Sequence, residues 1–121
     1  MSRNHYKIVA TVLALLSALA HIFIGSFDVL APVTQSDLPL MVRGTVWTVW
    51  HMVSGFLAVS VWIFWKRPEE TRVFAWLWVF SGTVFVVAAL YLQGPSALIV
   101  LPQWIILIPT GVLALRSLKT A

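Results

Sequence analysis

Two short stretches of the chain, "HIFIG" at 21–25 and "HMVSG" at 51–55, each place a histidine four residues before a glycine inside an apolar run. Histidine is the side chain whose charge changes most readily near neutral pH, and an ionisable group in apolar surroundings marks a candidate site. On a helix the glycine lies on the histidine's own face and gives the ring space. Three kinds of chemistry suit such a pair: binding and release of a proton or small ligand, hydrogen bonding between helices, and axial ligation of a b-type haem by His21 and His51. Bare zinc or copper fits less well. The chain has no cysteine, and two imidazoles alone leave a tetrahedral site half filled.

The elements that hold these residues follow from composition and charge. Of 121 residues 60% are hydrophobic and only 10% charged, which is outside the range of a soluble domain of this size. No Lys, Arg, Asp or Glu occurs between Lys7 and Asp28, between Arg43 and Lys66, or between Arg72 and Arg116. The first two gaps each hold one membrane span, and "QGPS" at 93–96 divides the third into a helical hairpin. The sequence predicts a single domain over 1–121, an all-α integral membrane protein built as a four-transmembrane-helix bundle. Its helices cover about 8–27, 44–65, 73–92 and 97–115, with an outer loop at 28–43. The runs lack the period-2 alternation of a membrane barrel.

Basic residues set the orientation. Of the eight, only Arg43 falls at the outer end, so both termini are expected to be cytoplasmic in a multi-pass protein of the bacterial inner membrane. The net charge of +4 is then a topology signal, and no basic stripe suited to nucleic acid exists. Trp47 and Tyr91 at one end, with Trp62, Trp65, Trp76 and Trp78 at the other, match interfacial belts. "SALA" at 17–20 could close a signal peptide, but the apolar run continues to Phe27 and favours a retained helix. In the outer loop Asp28 or Asp37 could pair with Arg43, and Pro68 with Glu69 and Glu70 suits the start of the third helix.

Depth brings the polar residues together. His21 stands about 21 Å from the cytoplasmic boundary at Lys7, His51 about 22 Å from Lys66, and Gln103 about 20 Å from Arg116. Small and polar residues, among them Ser17, His21, Gly25 and Asp28, form one stripe on the first helix, and Trp47, His51, Ser54 and Gly55 form another on the second. The two stripes are expected to face each other. The resulting ligand-binding or proton-binding site comprises His21, His51, Gln103, Trp47, Trp50, Ser17 and Ser54 in the outer third of the bilayer.

Three functions compete for this site. In the first the chain is an oligomeric transport or small-ligand-binding component, with the pathway formed between protomers. In the second it is a haem-binding redox subunit with His21 and His51 as axial ligands. In the third it is an accessory subunit of a larger membrane-protein complex, with the histidines as hydrogen-bonding glue between helices. Catalysis ranks last, because no nucleophile stands beside a base and no paired carboxylates or phosphate loop occur.

The arrangement of His21, Gly25, Pro32, Trp50 and His51 resembles that of small bacterial four-helix inner-membrane proteins of unassigned activity. This resemblance covers the first half of the chain and implies architecture. The small multidrug-resistance transporters have similar length and helix number, but they carry a glutamate in the first helix where this chain has none.

Overall fold

The computed structural model describes residues 2–119, and every regular element among them is helical. Helix α1 (Arg3–Leu19) passes without interruption into a π-helix (Ala20–Leu30) and a closing turn, α2 (Ala31–Thr34). Helices α3 (Leu40–Lys66) and α4 (Pro68–Leu92) follow, then the short α5 (Ala97–Val100) and α6 (Trp104–Ser117). Three continuous runs, Arg3–Thr34, Leu40–Lys66 and Pro68–Leu92, are long and apolar enough to cross a membrane, and α6 is a shorter apolar helix.

Two boundaries differ from the sequence reading. The expected outer loop at 28–43 shrinks to residues 35–39, because the helical run continues through Asp28 and Pro32 to Thr34. Pro32 lies inside this continuous run, two residues before its end at Thr34. Arg43 does not pair with either aspartate. Its Nε donates to Leu38 O at 3.0 Å and its Nη1 to Thr34 O at 3.1 Å, meeting a carbonyl left open at the helix end.

The second difference concerns the final helix, expected over 97–115. It is broken at residues 101–103. Leu101, at φ −113° and ψ 68°, leaves the helical region as a residue before proline tends to, and Pro102 begins a new turn. Pro109 lies inside α6. The other connections agree with expectation: Pro68 and two glutamates open α4, and Gly94 at φ +85° makes the turn after it. Arg67 in addition pairs with Glu70.

Helices α1 and α6 form the middle of the bundle. Helix α1 packs on α3 and α6, and α4 packs chiefly on α6. Small residues permit this closeness. Ala10, Ala14, Ser17 and Ala18 are buried along α1. A Cβ on Gly111 of α6 would stand 2.5 Å from Ala75 O of α4, so the two backbones touch there.

Trp78 anchors the core near the α3–α4 turn. It is fully buried, its Nε1 donates to Ser60 Oγ at 2.9 Å, and its ring meets those of Phe56 and Phe64. This corrects its assignment to an interfacial belt; Trp62, Trp65 and Trp76 are the exposed ones at that end. Residues two apart on a helix point in nearly opposite directions, so Trp76 and Trp78 cannot share one environment.

Candidate functional site

In the half of the bundle away from the α3–α4 turn, the helices separate around a cavity of about 770 Å³. Its apolar walls include Leu57 of α3, Phe80, Val84 and Phe85 of α4, and Ile106 and Leu107 of α6. Among these stand a few polar groups: Ser17, His21 and Asp28 from the first helical run, Ser81 of α4, and Gln103 at the broken segment. A volume of this size, apolar with a few converging polar side chains, has the character of a small-molecule site.

The π-helix and α3 meet at Trp50. The imidazole of His21 stacks on the indole with ring centroids 4.0 Å apart and planes inclined by 16°. His21 Nε2 also donates to Trp50 O at 3.2 Å. That carbonyl accepts from Ser54 Oγ as well, at 2.9 Å. On the other side Trp50 Nε1 donates to Ser26 Oγ at 3.2 Å. Gly25 explains how the ring fits, because a Cβ there would stand 2.8 Å from Trp50 Cζ2. One tryptophan is therefore held by His21, Gly25 and Ser26.

The wide helix is what makes this grouping possible. His21 and Ser26 are five residues apart, the spacing bridged by one i→i+5 hydrogen bond and well over one turn of an α-helix. Because a carbonyl only accepts, the neutral His21 ring must carry its proton on Nε2. Nδ1 is then an acceptor, with no hydrogen-bond partner among the described residues.

The expected site residues are only partly united. Ser17, His21, Trp50 and Gln103 line the cavity. His51, Trp47 and Ser54 do not. His51 is exposed, its Nδ1 donates to Trp47 O at 2.8 Å on its own helix, and its ring lies 4.1 Å from that of Trp47. The expected facing pair of histidines is thus corrected. Both rings occupy a similar level, but Trp50, the residue before His51, takes the inward direction, and adjacent residues on a helix point about 100° apart.

This separation bears on cofactors. His21 lines the cavity and His51 does not, and each ring already has one nitrogen hydrogen-bonded to a backbone carbonyl. No group of three or more His, Cys, Asp or Glu side chains suited to a metal ion occurs among the described residues. Ser17 is buried and its hydroxyl donates to Leu13 O at 2.8 Å, which leaves its oxygen to accept a further bond.

Sequence reasoning did not assign Asp28, Ser26 or the α4 wall to the site. Asp28 had a signal, being seven residues after His21 on the same stripe. Ser26 had none in an α-helical frame. No family model, curated protein or solved structure matches the chain.

Proposed function

We propose that this chain is a multi-pass protein of the bacterial inner membrane, with cytoplasmic termini, that binds a small amphipathic molecule in the cavity beside His21. The carrying observation is the cavity of about 770 Å³, with its aromatic and aliphatic walls and its few polar groups. The apolar body of the ligand packs against Phe80, Val84, Phe85 and Ile106. Its polar end, a hydroxyl or amine, donates to His21 Nδ1 or Asp28 and meets the Gln103 amide.

Membrane insertion is supported by the outward apolar surface: Phe27 is 78% exposed, Met41 81% and Tyr91 87%, and such a surface is suited to acyl chains. The four-span reading takes α5 and α6 together as the last crossing. Non-helical backbone at membrane depth is tolerated where it lines a cavity, and Pro102 and Gln103 in the break do line this one. In a transporter of oligomeric form this cavity is the binding step, and flux across reconstituted vesicles separates transport from binding alone.

The test is mass spectrometry of small molecules extracted from protein purified in mild detergent. The expected result is a retained amphiphile that is lost from Ser81→Trp, a variant that places bulk in the cavity. Equal retention by both proteins would overturn the proposal. One observation favours the accessory-subunit reading instead, namely the double contact of His21 with Trp50, which fastens the first helical run to α3. Under that reading Ser81→Trp alters no ligand, and a partner protein copurifies.

A further inference from the structure

At the end of the bundle that carries the α3–α4 turn, α4 and α6 border a groove of about 560 Å³. Arg72 of α4 lines it with Arg116 at the end of α6 and Lys119 just beyond, and no carboxylate contributes among the described residues. Neither arginine forms an ion pair among the described residues; the acidic partner nearest in sequence that is engaged, Glu70, is bonded to Arg67. The rest of the lining is apolar or aromatic, with Trp76, Val112, Leu115 and Leu118. Trp76 is 59% exposed.

We propose that this groove binds the headgroup of an anionic phospholipid. Guanidinium groups present paired N–H donors that match phosphate oxygens, so Arg72 and Arg116, on antiparallel helices, clasp the phosphate while Lys119 adds charge. Trp76 stands where an indole anchors at the headgroup level, and the acyl chains run along Val112 and Leu115 toward the hydrocarbon. A free inorganic anion would use the cations but gain nothing from this apolar floor. Clustered basic residues on the cytoplasmic side of membrane helices are suited to anionic lipid, each strengthening attraction roughly fivefold. The inference rests on the membrane reading above and is independent of the cavity beside His21.

Native mass spectrometry of the full chain in mild detergent, with phosphatidylglycerol and phosphatidylcholine added at equal concentration, tests it. Phosphatidylglycerol adducts should dominate. In Arg72→Gln/Arg116→Gln that preference should be lost. In Arg3→Gln/Lys7→Gln, which alters basic residues outside the groove, it should persist. Equal retention of the two lipids, or equal loss in both variants, would overturn the proposal. Displacement of the lipid by inorganic phosphate at the same concentration would also overturn it, in favour of a free-anion site. Should the glutamine variant aggregate, Arg72→Lys/Arg116→Lys keeps the charge but loses the forked donors, and an unchanged preference there would count against the groove. Carbonate extraction reads the membrane assignment separately: release of the protein would remove that reading, whereas retention without lipid preference would remove only this one.

Discussion

The imidazole of His21 lies stacked on the indole of Trp50, 4.0 Å between centroids, while its Nε2 donates to the carbonyl of that same residue. Two contacts from one side chain to one residue fix both the distance and the rotation of the first helical run against α3. They leave Nδ1 without a hydrogen-bond partner among the described residues, so the ligand contact proposed above would use a different atom of His21 from the structural one.

His21→Ala should therefore destabilise the protein by about 1–2 kcal/mol, the combined effect of an interhelical hydrogen bond and an aromatic contact. His21→Phe keeps a ring on Trp50 and loses only the bond, so its loss should be smaller. His51→Ala should change stability by less than about 0.5 kcal/mol, since its hydrogen bond and ring contact lie within its own exposed helix face. Thermal melting in one detergent ranks all three. A greater loss at His51 than at His21 would contradict this arrangement.

The two glycines that follow the histidines should part just as clearly. A Cβ on Gly25 would press on a ring already held by His21 and Ser26, and the expected destabilisation of Gly25→Ala is about 1–3 kcal/mol. At Gly55 a Cβ meets nothing within 4 Å, so Gly55→Ala should be neutral or gain up to about 1 kcal/mol from helix propensity. Equal melting temperatures for the two variants would show that Trp50 is free to move away from Gly25.

These contrasts mark what the sequence could reveal. Apolar runs and charge gaps disclosed the long helices, because burial in lipid or protein imposes composition over some 20 residues. Residue counts also put His21 and Gln103 at one level, and these two line one cavity. Direction around the helix was not. Both Trp50 and His51 suit an inward position, and the choice depends on the space opened by Gly25 and on the carbonyl of Trp50. The π-helix at Ala20–Leu30 was hidden for a related reason: a change from i→i+4 to i→i+5 bonding leaves the apolar composition of the segment intact. The break before Gln103 had its signal in Pro102, but a proline can bend a helix, as Pro109 is accommodated inside α6, or end it.

Trp78 gives a third measurable case. Trp78→Phe removes the donor to Ser60 and part of a fully buried ring, leaving a void between Phe56 and Phe64. The expected loss is about 2–4 kcal/mol, from a missing buried bond and a cavity together. Trp76→Phe, on the exposed side of the same helix, should change melting by much less. Similar losses at both positions would restore the interfacial assignment of Trp78.

Orientation follows from what lies together at one end. Arg3, Lys7, Lys66 and Ser117 line a common pocket, which brings the start of α1, the α3–α4 turn and the end of α6 to the same side. The five-residue connection at 35–39 lies at the other end of the helices it joins. Since the basic residues gather on the first side, that side should be cytoplasmic and the 35–39 connection periplasmic. The chain has no cysteine, so single substitutions report without background. In intact spheroplasts a membrane-impermeant maleimide should label Ser36→Cys, whereas Lys119→Cys should react only after permeabilisation. The reverse pattern would invert the orientation. Labelling of both without permeabilisation would place the two ends on one side of the membrane, or the chain outside it, and would refute the four-span arrangement.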